Sequence, residues 1–326
     1  MSPAKLGVHA SSLADHRIDA PTAVIRAADH RFAACLFGSV FDLSPRLDVA
    51  RIAGIRAMAS DLGVEVAVGS VSLHPWRASA DDRLLTAGDG DALLGVRRML
   101  EVSAGLAGRE LLTIIGRIED RYDRLVPWAE QLRATAAMLR RLAPLLRDVG
   151  LKLLIKTHEE ITADEVGRLI DQVGDDVVGA AVDPVNLLVN FDDPVRAVAM
   201  LGAAVAQVII DDAVIIFAAG AARRLLCAVG EGIVDWPGVI AGARPRRPTW
   251  WVELHRGQFT VGPFSSGWME GHPDLTRGAL GTCVRQISAS TSRLGADRIR
   301  RLCAVQARPA RRLTATAAAA RELLAS

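Results

Sequence analysis

The sequence predicts a closed (β/α)8 barrel, in which parallel strands alternate with helices. Short apolar runs bounded by glycine or polar clusters alternate with segments of helical periodicity along most of the 326 residues. The stretch from Gly150 to Pro194, GLKLLIKTHEEITADEVGRLIDQVGDDVVGAAVDPVNLLVNFDDP, reads as strand, helix and strand, a parallel βαβ unit. Ionisable residues gather at the carboxyl ends of the apolar runs, where β/α proteins carry their chemistry.

Taken in order, Leu6 to Ala10 is the first strand, ending near His9 and the Ser11-Ser12 pair. A helix over Pro21 to His30 leads to strand two, Phe32 to Val40. A second helix, Leu47 to Leu62, keeps Ile52, Ile55 and Met58 on one face, and Gly63 ends it before strand three, Val64 to Val68. The loop GSVSLHPW carries His74 and Trp76, and a third helix runs through Leu94, Met99 and Leu106. Strand four, Leu111 to Ile115, ends in the charged GRIEDRYD, and Trp128 to Arg147 is a long amphipathic helix. In the central stretch strand five is Leu151 to Ile155. Thr162 with Glu165 forms a capping box, and Gly174 ends the helix before strand six, Val177 to Val182. A helix over Val195 to Leu201 precedes strand seven, Val205 to Ile210, which runs into Asp211 and Asp212. The excursion AVIIFAAGAARRLLCAVGEGIVDW then separates it from a short helix near Val239 and strand eight, Trp250 to Leu254. After a loop, a helix from Leu275 to about Leu294 completes a barrel domain of residues 1–297. Residues 298–326 read as an Arg/Ala-rich tail of one or two peripheral helices or a frayed end.

Composition narrows the class. No run of 18 apolar residues argues for a membrane span, and MSPAKLGVHASSL lacks the pattern of a signal peptide. A formal net charge of +2 does not call for nucleic acid or a membrane surface as partner. Cys35, Cys227, Cys283 and Cys303 show no metal-type spacing and read as free thiols of a cytoplasmic protein. Nucleophile-elbow and P-loop motifs are absent. There are only three lysines, so Lys156 at the end of a central strand stands out against the arginine-rich background.

The strand ends carry a resemblance. Lys156-Thr157-His158 closes strand five, Asp183-Pro184-Val185-Asn186 closes strand six, and WWVELH places Glu253 at the end of strand eight. GVEVAVGSVSLHP and GEGIVDW add matches in the same order. From about Leu6 to about Leu294 the chain resembles the xylose-isomerase-like TIM-barrel superfamily, which holds sugar isomerases and epimerases, inosose dehydratases and endonuclease IV. The resemblance implies one divalent cation (Mn, Mg, Co or Zn) held by Glu, Asp, His and Glu from strands five to eight. Asp183 and Glu253 carry over as ligands, but Lys156 replaces the first Glu and Ile209 the His. An ammonium beside a divalent ion is repulsive, so two arrangements stand open. In one, Lys156 takes the cation's place between Asp183 and Glu253. In the other, ligation is shifted, with Asp211, His158 or Glu159 helping.

The resemblance further implies a sugar or polyol isomerase, epimerase or dehydratase, with a non-catalytic barrel that binds a ligand or partner subunit as the alternative. In the enzyme reading Glu253 is the base, with Lys156 and His158 as further catalytic residues. Asn186, Trp76, Arg223 and His255 contact a sugar or polyol-like ligand, and a homo-oligomer is compatible with this assignment. Each residue also has a plainer role: Asp183 as the cap before Pro184, Lys156 reaching for solvent, and His158 and His255 as hydrogen-bonded wall residues.

Overall fold

Very short strands, buried on both faces and alternating the side to which successive residues point, build the barrel. In the computed structural model, which describes residues 5–304 and 309–325 apart from 107 and 258, the barrel strands are β1 (Leu6–His9), β2 (Ala34–Phe37), β3 (Glu65–Val68), β4 (Glu110–Thr113), β5 (Lys152–Lys156), β6 (Val178–Val182) and β7 (Val205–Ile210). An antiparallel hairpin, β8 (Asp212–Ala218) and β9 (Ala221–Cys227), follows before the last barrel strand, β10 (Thr249–Val252). The strand order is β3-β2-β1-β10-β7-β6-β5-β4, parallel throughout. Closure between β3 and β4 rests on one bridge, Gly69 to Leu112, with Ser70 N donating to Leu112 O at 2.8 Å. A Cβ on Gly69 would meet the carbonyl oxygens of Gly38 and Leu112 at 2.6 Å, so the seam closes only around glycine.

Each strand sorts its residues by face. On β5, Leu153 and Ile155 pack outward into the main core against the helices, while Leu154 joins an inner cluster. On β7, Val208 and Ile210 point outward and Ile209 inward; on β10, Trp250 and Val252 point outward and Trp251 inward. Leu36, Ala67, Leu112, Leu154, Ala181, Ile209 and Trp251 thus plug the barrel beneath its mouth. Trp251 fills this space by lying across β1, where a Cβ on Gly7 would fall 2.2 Å from its ring.

Helix signals set the outer ring. Asp19, Asp48, Asp91 and Thr162 cap the helices that start at Ala20, Val49, Ala92 and Ala163. Gly150, in the left-handed conformation, ends the Trp128–Val149 helix. Two segments differ from the sequence expectation. The excursion after strand seven is largely the β8–β9 hairpin, joined at Ala219 and Gly220, both with positive φ, and extended by the two-residue strand β11 (Thr260–Val261). The region read as a peripheral or frayed tail includes the Pro309–Ala325 helix, whose Leu313, Ala317 and Ala320 lie in the main core. Its Arg321 donates to the carbonyl of His30 at 2.6 Å, tying it to the barrel beside β2.

Cys35 and Cys227 are buried and Cys283 is partly so, all free thiols; Cys303 lies outside the residues whose side chains are described. Among the described residues no helix is long and apolar enough to cross a membrane.

The packing of Trp251 over β1 is testable. Gly7→Ala is expected to lower stability by about 1–3 kcal/mol through overpacking, read as a lower urea midpoint. Adding Trp251→Leu should recover most of the loss. Equal stability of Gly7→Ala and the parent would show that the indole does not lie there.

Candidate active site

The last inward positions of β5 and the turns after β6 and β10 meet at the mouth. Lys156 Nζ lies 3.0 Å from Asp183 Oδ2 and 2.9 Å from Glu253 Oε1. Burial alone would push this ammonium toward neutrality, but the Glu253 and then the Asp183 carboxylate outweigh it, and its pKa stands above the ordinary lysine value. Burial would likewise raise both carboxyls. The nearby cations, His255 and Lys156 for Asp183 and chiefly Lys156 for Glu253, hold Asp183 far below the usual carboxylate range and Glu253 down to about 2. Asp183 also caps the Pro184–Val189 helix, accepting from Asn186 N at 3.3 Å.

The pair continues into a buried chain of alternating charge. Asp183 Oδ2 accepts from His255 Nε2 at 2.9 Å, and His255 Nδ1 donates to Asp211 Oδ2 at 3.0 Å. With both ring nitrogens facing carboxylates, His255 is an imidazolium; burial lowers its pKa, but Asp183 foremost outweighs that and raises it. Asp211 Oδ1 accepts from Arg312 Nη1 at 2.7 Å. A side branch runs from Asp183 Oδ2 to Asn186 Nδ2 at 2.9 Å, and from Asn186 Oδ1 to Arg224 Nη1 at 2.7 Å.

Above Lys156 lies a cavity of about 600 Å³, lined by His9, Ser39, Ser70, Trp76, Arg117, His158 and Glu253 among others. Two buried polar atoms on its wall have no partner among the described residues: Glu253 Oε2 and Ser39 Oγ. His9 stands between them on β1, its pKa lowered by burial, so it faces the cavity as a neutral imidazole. His158 is bound at both nitrogens, by Glu159 at 2.7 Å and Glu160 at 2.5 Å. Burial opposes its charge, but Glu160 and Glu159 raise its pKa to about 10, so it is a fixed cation with neither ring proton free.

A divalent ion does not fit the position that the resemblance implies. An ammonium already stands between the two carboxylates, and Asp183 Oδ2 is occupied by Lys156, His255 and Asn186. Ile209 is wholly buried in the apolar plug and offers no ligand atom, while both oxygens of Asp211 are taken by Arg312 and His255. The donor atoms of His158, Glu159 and Glu160 do lie within 4.8 Å of one another. These are residue types that could hold a cation, and they stand apart from the Lys156 position that the resemblance implies.

The structure brings Lys156, Asp183, Glu253, His255 and Asp211 together and places His158 and Trp76 on the cavity wall. Three of the expected contact residues are placed elsewhere. Asn186 is fully buried and its amide is consumed by Asp183 and Arg224, so it does not reach the cavity. His255 likewise spends both nitrogens inside the chain of charges. Arg223 is not among the residues lining the cavity; period two on β9 turns its neighbour Arg224 inward instead. Sequence reasoning gave no role to Ser39, His9 or Arg312. The first two sit just past or at strand ends and were within reach of the same facing argument, whereas Arg312 carries no local signal.

Two outcomes follow. Lys156→Met leaves two inward carboxylates without their shared cation and is expected to cost about 3–5 kcal/mol; a variant as stable as the parent would place this side chain in solvent. The folded-state pKa of Glu253 lies below its ordinary value. Its contribution is therefore complete above roughly pH 4.3 and lost as pH falls through about 2. Urea unfolding across this window should show a flatter acid-side decline for Glu253→Gln than for the parent; parallel declines would contradict the pairing.

Comparison with known proteins agrees with this architecture. A family model described as xylose isomerase-like TIM barrel matches residues 25–254. No curated protein matches the chain by sequence. Among solved structures, a D-psicose 3-epimerase in the presence of D-fructose aligns with a TM-score of 0.59 at 16% identity, over 87% of this chain and 97% of that one. An L-ribulose 3-epimerase aligns at 0.54 and 16% identity, over 94% and 99% of the two chains. The 3-keto-D-glucoside 4-epimerase from E. coli, in its apo form, aligns at 0.56 and 13% identity, over 86% and 99%. At such identities the structural likeness speaks for the fold, while the family model spans well over half of the sequence: the chain belongs to the xylose isomerase-like TIM-barrel family.

Proposed function

We propose that this barrel is a sugar or polyol isomerase or epimerase in which a lysine ammonium takes the electrostatic part that the resemblance assigns to a metal ion. One observation carries the reading: Glu253 has one oxygen tied to Lys156 at 2.9 Å, and its other oxygen is unpartnered on the wall of the cavity. The similarity to epimerases of ketoses and a keto-glucoside supports the choice of substrate class.

In this reading Glu253 Oε2 removes the proton from the carbon next to a substrate carbonyl. The electron pair moves onto the carbonyl oxygen, where the Lys156 ammonium, already charged and already fixed, stabilises the enediolate. Return of the proton from Glu253 to the neighbouring carbon, with the hydroxyl proton of the first carbon passing to the former carbonyl oxygen, gives isomerisation; epimerisation requires a second acid that protonates the first carbon from the opposite face. Lys156 acts as a cation and not as a Schiff-base nucleophile, because its raised pKa keeps the amine protonated. His158, with both ring protons held by carboxylates, contributes a fixed positive charge rather than a proton. Trp76, about half exposed at the rim, offers a flat apolar surface to the face of a sugar ring. A non-catalytic binding barrel is the competing reading, and the low basicity of Glu253, with a pKa of about 2, is the observation that favours it.

Proton NMR in D₂O with a panel of ketoses and keto-polyols decides between them. The expected result is deuterium entering the position next to the carbonyl, unchanged by EDTA and slowed about 10²- to 10⁴-fold in Glu253→Gln. Exchange that vanishes with EDTA would overturn the role given to Lys156. Binding without exchange for every sugar would establish the non-catalytic reading.

A further inference from the structure

Arg312 reaches the mouth from the Pro309–Ala325 helix, far along the chain from every other member of the site. Its guanidinium joins three segments. Nη1 donates to Asp211 Oδ1 at 2.7 Å, just past β7, and to the carbonyl of Cys227 at 2.9 Å, where the hairpin ends. Nη2 donates to the carbonyl of His255 at 2.8 Å, in the turn after β10. Asp211, fully buried, offers its second oxygen to His255 twice, to the backbone N at 2.8 Å and to Nδ1 at 3.0 Å.

From there the chain runs through Asp183 and Lys156 to Glu253. The signs alternate along it: Arg312 positive, Asp211 negative, His255 positive, Asp183 negative, Lys156 positive, Glu253 negative. In a buried site such a series is stable only while each charge keeps both neighbours, since an unpaired member bears its full desolvation cost. Arg312 is the terminal cation of that series.

Anchoring its own helix does not account for this side chain. The helix is already held by Leu313, Ala317 and Ala320 in the core and by Arg321 on the carbonyl of His30.

We propose that Arg312 is a positioning residue of the active site: by fixing Asp211 and the His255 turn it holds Asp183 and Lys156 in register beneath Glu253. The assignment rests on the catalytic reading of Glu253 and Lys156, but its structural half is testable without activity. His255 is clamped between two buried carboxylates, so its ring N–H protons should give slowly exchanging downfield NMR signals, identified by their loss in His255→Gln.

The test uses the full chain and three variants, Arg312→Met, Arg312→Lys and Asp211→Asn, with circular dichroism and melting as controls of folding. Arg312→Met is expected to fold yet lose the His255 signals. It should lower kcat for the deuterium exchange about 10- to 100-fold while KM changes about threefold or less, the pattern of misplaced rather than missing catalytic groups. Arg312→Lys, which keeps the charge, should restore the signals and part of kcat. Folded Arg312→Met with parental signals and parental kcat would overturn the proposal and leave Arg312 as a helix anchor. If Arg312→Met does not fold, Asp211→Asn, which breaks the chain at the next link with Arg312 intact, decides in the same way. A parent that shows the His255 signals but no exchange with any sugar would sink the catalytic reading. The signals in the variants would still report whether Arg312 holds the chain together.

Discussion

A lysine ammonium buried between two carboxylates sets the terms for everything at the mouth of this barrel. Removing three charges from water is expensive, and geometry repays it only when each oxygen and each proton finds a partner. The surroundings of Lys156 meet that demand through neighbours that are themselves charged. Asp183 needs His255 as well as Lys156, His255 needs Asp211, and Asp211 needs Arg312. The polar interior is therefore a single connected unit rather than a set of independent ligands. Glu253 Oε2 and Ser39 Oγ gain meaning from this, because they are the unpartnered buried atoms that the described residues place on the cavity wall.

The fold supplies this unit through simple periodicities. Alternation on β5, β7 and β10 puts Leu154, Ile209 and Trp251 into one apolar layer, and the next inward positions, Lys156, Asp211 and Glu253, just above it. The layer is buried and apolar, so it offers the charges above it no carboxylate or ammonium partner, and they are balanced sideways. Glycines at 7 and 69 let the indole and the β3–β4 seam approach as closely as they do. Asp183 serves twice, as a helix cap through one oxygen and as the centre of the charge chain through the other.

Much of this was legible in the sequence because it depends on local rules. The strands and most helices announce themselves by apolar period and by caps such as Thr162 with Glu165. The facing of Lys156, Asp183 and Glu253 follows from counting by two. The hairpin was not legible as such. Its turn is Ala219-Gly220, without the Asn-Gly or Asp-Gly that marks a two-residue turn with positive φ, and its strands read as one long apolar excursion. The inward turn of Arg224 in place of Arg223 depends on the register of that hairpin. The internal use of Asn186 and His255 depends on which partner arrives first across the mouth, a matter of tertiary distance. Arg312 is one arginine in an Arg/Ala-rich segment, and nothing nearby in the chain distinguishes it.

The placement of the Pro309–Ala325 helix has a kinetic consequence. The barrel closes on itself where β1 pairs with β10, contacts that join residues near 7 to residues near 251. The helix that reaches back to His30 and carries Arg312 is made later still. During synthesis the earlier βα units can assemble as they emerge, but the flank of β1 and the end of β7 wait for partners from much further along the chain. Asp211 spends that interval without the arginine that balances it. The charged mouth is thus incomplete until residues 309–325 have been made, because Arg312 and the apolar face of its helix come from that segment.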